Sequence, residues 1–319
     1  MTTTPYWRIA VIGAGAIGST IALKLAESGH EVTVAVRDAR RREALERDGL
    51  RGRARGGTVE RADVRVTASL DDDYDLVIVP VQRHQIDGLV PTLAANGSAR
   101  IMLMFNNASD ADSWSDEIGA DRLIWGFPAI LAKVNGDTVG YSIVSRVQVT
   151  TIGRPDGVID DDVRQIASLF SGAAIPTVVS PVIDGWLKTH AAFVAPMVAA
   201  AFLPGRPGRG PRLSWSSARE LGAAVRTGMR AVRGSGATVA PGNMRAMPFV
   251  PGPVLTALFW LMFASPAGKG MIAQVSDSVA AESALLLREL SRLAGAAGVD
   301  PAPLVRLAAR IPAPAPRQV

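Results

Sequence analysis

Hydrophobic positions along this chain change period about halfway, and the change divides it. Residues 7–12 form an apolar run of strand length. Ile17 to Ser28 reads as a helix, with Ile21, Leu23 and Leu25 among its apolar residues and Gly29-His30 closing it. Glu31 to Val36 alternates and is rich in valine, as a second strand should be, and a helix follows from Ala39 to Arg47. Val64 to Val66 is a short strand. Leu76 to Val79 is continuously apolar, the pattern of a strand buried on both faces, and Arg100 to Phe105 is another. Such β-α-β alternation predicts a doubly wound parallel sheet with functional loops at the carboxyl ends of its strands.

Between residues 120 and 153 the pattern loosens. Val139 to Ile152 holds two short β-rich runs, joined around Ser145-Arg146, that extend or cover the sheet. Val163 to Phe170 is helical, and Thr177 to Val179 is a last short strand. From Pro181 onward the chain reads as almost entirely helical. Gly205 to Arg212 and Gly242 to Gly252 are irregular. Ser217 to Glu220 forms a capping box that opens a helix ending near Gly234. Ser276 to Ala297 is the final helix, closed by Gly298, and the Pro-rich tail from Pro312 is expected to be disordered. The expected organisation is a dinucleotide-binding domain over residues 1–180, a helical domain over 181–311 and a tail over 312–319.

The first βα junction adds chemistry to this pattern. The strand ends in Gly13-Ala14-Gly15-Ala16-Ile17-Gly18, a Gly-x-Gly-x-x-Gly that opens a helix. Gly13 permits the tight turn, Gly15 lets backbone approach a pyrophosphate, and Gly18 lets helix and strand pack closely. The free N–H groups and dipole of the helix N-terminus then favour phosphate. The fold expected is therefore α/β, a Rossmann-type doubly wound parallel sheet followed by an all-helical C-terminal domain. The second strand ends in Arg37, where an enzyme for NAD would usually carry an acid for the ribose 2′-hydroxyl. A guanidinium there suits a 2′-phosphate and so NADPH, with Arg40, Arg41 or Arg42 assisting. The alternative is that Asp38 takes the acidic role.

Composition narrows the rest. Net charge is +5, carried almost wholly by arginine, with only four lysines: Lys24, Lys133, Lys188 and Lys269. The clusters Arg37–Arg42, Arg51–Arg55 and Arg206–Arg212 lack the interleaved aromatics of a single-strand binder and read mainly as solvated surface. The absence of cysteine excludes disulfides, thiolate chemistry and cysteine-ligated zinc. His30, His84 and His190 lack metal-ligand spacing. The polar opening Met1–Arg8 is not expected to be a signal peptide, and the apolar run Phe249–Ala264, broken by Pro251 and Pro253, is too short to span a bilayer comfortably. A cytoplasmic protein without nucleic-acid or membrane partners is expected. The apolar helices around Phe193–Phe202 and Val254–Phe263 are either domain core or a dimer face.

Three polar residues stand out in apolar surroundings. Lys188 follows Trp186-Leu187. Since the chain favours arginine for charge, a lysine here offers a proton that arginine cannot usefully give. A lysine whose stem merely covers apolar surface is the alternative. Glu282 shares the stripe Val279, Leu286, Leu290, Leu293 at spacings of 3, 4, 4 and 3, so it needs a cation or donor nearby. Lys188 is one partner for it, and a rim arginine is another. Asn106 follows the strand Ile101–Phe105, where its amide can donate and accept at once or simply make a turn.

Together these residues resemble the ketopantoate reductase (2-dehydropantoate 2-reductase) family over nearly the whole chain. The glycine motif, Arg37, the loop with Gln82 and Gln85 after Leu76–Val79, Asn106, the Trp186-Leu187-Lys188 entry to the helical part and Glu282 carry the likeness. The resemblance implies an NADPH-dependent reductase with Lys188 as general acid and with Glu282 and Asn106 orienting it, the substrate or the nicotinamide. The chain also departs from the family. Gln82 replaces a lysine, Asn106-Asn107 replaces Asn-Gly, and Ala192 and Pro196 stand where the family places substrate-binding asparagines. The family's substrate-binding serine falls near Gly270, with Ser265 or Ser276 as substitutes. These changes point to a carbonyl substrate bulkier or less polar than ketopantoate. The alternatives are a non-redox cyclase or isomerase on the same scaffold, and an NADPH-binding sensor.

Overall fold

A computed structural model describes residues 6–109, 112–144, 148–203, 213–266, 268 and 275–312. The chain divides into two compact units. One holds Met1–Phe105 and Ala111–Ile183; the other holds Asn106–Asp110 and Asp184–Val319. The short segment Asn106–Asp110 thus leaves the residues that flank it in sequence and groups with the helices. Fully buried Ala108, part of the helical core, anchors it there.

The first unit contains twelve strands among its described residues. They are β1 (Arg8–Ile12), β2 (Glu31–Ala35), β3 (Leu50–Ala54), β4 (Val59–Ala62), β5 (Arg65–Thr67), β6 (Leu76–Val79), β7 (Ile101–Met104), β8 (Leu123–Phe127), β9 (Ile130–Asn135), β10 (Thr138–Ile143), β11 (Thr150–Gly153) and β12 (Thr177–Val179). The main sheet runs β12-β11-β8-β7-β6-β1-β2-β5. From β5 to β8 every pairing is parallel, and β11 enters antiparallel against β8. β6 and β7 are buried at every position, as their continuous apolar sequence predicts. The connections reverse direction at β1: β2 lies on one side and β6 on the other. The carboxyl ends of β1 and β6 therefore flank the switch point, where open α/β sheets bind ligands.

A second sheet, β4-β3-β10-β9, lies against α1 (Ala16–Glu27). A Cβ on Gly52 of β3 would stand 2.2 Å from Leu23 Cδ2, so glycine is what lets this strand reach the helix. Leu50 and Gly52 of β3 are buried, while Arg51 is partly exposed and Arg53 and Arg55 are exposed, as expected of a solvated arginine cluster. The two β-rich runs between Val139 and Ile152 separate, Thr138–Ile143 joining this sheet and Thr150–Gly153 the main one. Their joint at Ser145-Arg146 lies outside the described residues. The unit also contains α2 (Ala39–Asp48), α3 (Val90–Ala95), α4 (Asp112–Ile118) and α5 (Asp161–Gly172).

The second unit is helical. It contains α6 (Ile183–Ala199, its first residue belonging to the other unit), α7 (Trp215–Gly234), α8 (Gly252–Ala264), α9 (Asp277–Ala296) and α10 (Ala302–Ala308). Leu221, Val225, Met229, Phe259, Phe263, Leu287, Leu290 and Leu304 form much of its core. The cap of α7 is Ser214, whose side chain accepts from Ser217 N–H, and not Ser217 itself. The Ser276–Ala297 helix is not the last, since α10 follows it. No helix among the described residues is long and apolar enough to cross a membrane. The Gly205–Arg212 loop, Gly270 and the tail beyond Pro312 lie outside the described residues.

Candidate active site

The glycine loop takes the geometry its sequence demands. Gly13 has φ +96°, a left-handed conformation that favours glycine, and its N–H donates to Ala35 O at 2.8 Å. The turn after β1 is thereby tied to the end of β2. A Cβ on Gly18 would fall 2.2 Å from Gly13 O and 3.3 Å from Pro80 Cγ. Helix α1 therefore packs directly on its own turn and on the residue that follows β6. Gly15 is the N-cap of α1, exposed, with nothing within 4 Å of where its Cβ would stand. Ala14, Ala16 and Ile17 are partly buried around it.

No side chain caps α1, α3, α8 or α10, whereas Asp38, Asp160, Ser214 and Ser276 cap α2, α5, α7 and α9. The first turn of α1 also contains no acid. Its N-terminal donors, the dipole behind them and the open space beside Gly15 form a cradle for an anion. The residues present fit a dinucleotide pyrophosphate.

Past β2, Arg37 is exposed. The Arg42 guanidinium donates to the carbonyls of Val36 and Arg37, at 3.0 and 2.7 Å, bracing the backbone that presents Arg37. Asp38 accepts from Arg41 N–H at 2.7 Å as the cap of α2. One oxygen of this carboxylate, the alternative acidic partner for a ribose, is thereby engaged within its own turn. After β6, Gln82 N–H donates to Gln85 Oε1 at 3.0 Å, and the Gln82 side chain accepts from Gln85 N–H. The two glutamines form a capping box that shapes the loop at the switch point.

In the helical unit, Lys188 is 5% exposed, and its Nζ lies 3.0 Å from Asp184 Oδ2, one turn earlier on α6. Burying an ammonium without a counter-charge is costly, and the acid-before-lysine i,i+4 spacing also suits the helix. A second i,i+4 pair follows. Trp186 and His190 stack with ring centroids 5.2 Å apart and planes 5° from parallel. His190 Nδ1 lies 2.9 Å from Asn106 Oδ1. Burial lowers the His190 pKa from the ordinary 6.5 to about 4, so the imidazole is neutral at pH 7. Asn107 accepts from Ser109 N–H at 3.1 Å and donates to Ser109 O at 3.1 Å, pinning the loop that carries Asn106. Glu282 is buried on α9 at 9% exposure.

Sequence reasoning placed Lys188 but missed Asp184 as its partner and His190 as the partner of Asn106. The i,i+4 spacing signalled the first. The second joins residues 84 apart and had no local signal. Ala192 is fully buried, and a Cβ on Gly228 of α7 would stand only 3.0 Å from its own Cβ. Pro196 is also buried, inside α6.

Residues 9–155 match the family described as Ketopantoate reductase PanE/ApbA. A 2-dehydropantoate 2-reductase of Bacillus subtilis is 32% identical over 99 residues, which is 31% of this chain and about a third, 33%, of that protein's length. This chain resembles the ketopantoate reductases. The likeness in fold extends further than the likeness in sequence. The crystal structure of 2-dehydropantoate 2-reductase from Geobacter metallireducens aligns over 95% of this chain and 98% of its own, with TM-score 0.73 and 16% identity. A D-mandelate dehydrogenase solved in complex with NADH aligns over 95% and 97%, with TM-score 0.74 and 15% identity.

Proposed function

We propose that this chain is an oxidoreductase of the ketopantoate reductase type that uses NADPH to reduce the carbonyl of a 2-oxo acid or related ketone to an alcohol. The observation that carries the reading is a buried lysine held by a carboxylate, Lys188 on Asp184, in a chain whose other unit leaves the α1 N-terminus uncapped behind its glycine turn. The α1 N-terminus and the Gly13–Gly18 turn hold the pyrophosphate. Arg37 pairs with the 2′-phosphate, and Gln82 borders the cofactor loop. When bound, the nicotinamide supplies a hydride to the carbonyl carbon. Lys188 gives its proton to the carbonyl oxygen as the alkoxide develops, so that C=O gains hydride and proton together and leaves as the alcohol. Asp184 holds the ammonium in place beforehand and stabilises the charge that a buried lysine would otherwise bear alone. Asn106 and Glu282 orient the substrate.

Ala192 and Pro196 remove two polar side chains from α6, which favours a substrate bulkier or less polar than ketopantoate. The enzyme works in the cytoplasm on a small molecule, without nucleic-acid or membrane partners. It is a homodimer that joins through the exposed apolar face of α8. The test is to titrate the protein with NADPH and with NADH, then to follow oxidation of each with ketopantoate and bulkier 2-oxo acids, ketones and imines. The reading expects tighter NADPH binding and turnover of at least one 2-oxo acid or ketone. Tight binding with conversion of no substrate in the panel would instead favour the sensor. Substrate conversion without NADPH oxidation would favour the cyclase or isomerase.

A further inference from the structure

We infer that His190 is a positioning residue that fixes the orientation of the Asn106 side-chain amide, so that its oxygen is held by the imidazole and its NH2 is presented to substrate. The inference rests on the reading of Asn106 as a substrate-orienting group. An asparagine amide has two orientations related by a 180° flip, one offering a donor and the other an acceptor at the same place. Something must choose between them if the group is to bind a carbonyl or carboxylate oxygen. His190 Nδ1 lies 2.9 Å from Asn106 Oδ1. A neutral ring with hydrogen on Nδ1 donates to that oxygen and excludes the flipped amide, which would bring N–H against N–H.

The surroundings make the choice firm. Burial keeps the ring neutral, and stacking on Trp186 sets its plane. Asn107 and Ser109 pin the backbone that follows Asn106. With Ala192 packed in the core, α6 offers no amide at that position, and the direction of the Asn106 amide matters more to recognition. Nothing in the sequence joins these residues, since Asn106 and His190 belong to segments 84 residues apart that meet only in the helical unit.

Two measurements decide the matter. Nitrogen-15 NMR of the His190 ring in the wild-type protein at neutral pH reads the tautomer without any turnover. The inference expects hydrogen on Nδ1; hydrogen on Nε2 alone overturns it. Kinetics with the best substrate then compare His190→Leu, Asn106→Ala and the double variant, with His190→Asn as the replacement that keeps a donor near the Nδ1 position. His190→Leu and Asn106→Ala should each lower kcat/KM, by up to about a hundredfold as expected for a misplaced substrate contact. The double variant should lose no more than the worse single one, and His190→Asn should recover most of the loss. Additive losses, or wild-type kcat/KM in a folded His190→Leu, overturn the inference. Absence of turnover in the wild type would count against the reductase reading itself, and the tautomer would still decide the orientation.

Discussion

At the residue scale the proposed reaction turns on one lysine. Lys188 is buried and ion-paired, in a chain that otherwise meets its need for positive charge with arginine. Lys188→Ala should lower kcat by about 10²–10⁴-fold, the contribution of a positioned general acid, without changing NADPH affinity. Lys188→Arg should not restore activity, because a guanidinium does not yield its proton. Replacing Arg37 by alanine should cost about 1.5–3 kcal/mol of NADPH binding, one charge-assisted contact, and leave NADH binding unchanged. Fluorescence titration with both cofactors checks this. His190 gives a pH signature. Its folded pKa, about 4, lies below the ordinary 6.5, so between these values the unfolded chain binds the proton and the folded protein does not. Stability should therefore fall as pH drops from about 6.5 to about 4, by at most about 3 kcal/mol, and level off below. Denaturant midpoints across that range should show the decline, and His190→Asn should flatten it.

Elements carry their information unevenly along the sequence. β1, β6 and β7 were legible because a strand buried on both faces must be apolar almost throughout, β2 by its valine-rich alternation, and β12 was read at its observed bounds. β3 and β4 were not legible. Their sequences, RGRA after Leu50 and VERA, are rich in charge, and only Leu50 and Gly52 betray the buried face. The reason for Gly52 is a contact with Leu23 on a helix nearly thirty residues earlier, which no local pattern reveals. The cap of α7 was misplaced by three residues because Ser214, Ser216 and Ser217 all suit the position. Ser214→Ala should cost about 1 kcal/mol in denaturant unfolding, whereas exposed Ser216→Ala should cost less. The α1 turn was read correctly as a tight glycine turn, and Gly18 has the least room there. A Cβ at 2.2 Å from the Gly13 carbonyl forces backbone to move, so Gly18→Ala should cost about 1–3 kcal/mol of stability and weaken NADPH binding as well.

At the scale of the whole molecule, the two compact units carry different features. The α/β unit offers an anion cradle and an exposed arginine; the helical unit offers a buried lysine, its carboxylate and an asparagine held by histidine. The α-helical content and the order of the two units were legible from the change in hydrophobic period. The grouping of Asn106–Asp110 with the helices was not, because it depends on Ala108 reaching their core. One face of the helical unit remains apolar and exposed. On α8, Val254, Leu258 and Leu261 are 54, 51 and 60% exposed at spacings of 4 and 3. A contiguous apolar stripe of this kind is a typical association surface. If the proposed dimer forms here, sedimentation should find the wild type dimeric and Leu258→Glu monomeric; a monomeric wild type, or a variant that stays dimeric, would contradict this.

The central claim is hydride transfer with proton donation by Lys188, and one isotope experiment reaches it most directly. The protein would be given NADPH deuterated at the transferring position together with the best substrate of the panel, as wild type and as Lys188→Ala. The account predicts deuterium on the former carbonyl carbon of the product in the wild type. It predicts the same product, formed at least about a hundredfold more slowly, in the variant. Substrate conversion with the label still on the cofactor, or a Lys188→Ala enzyme as fast as the wild type, would contradict it.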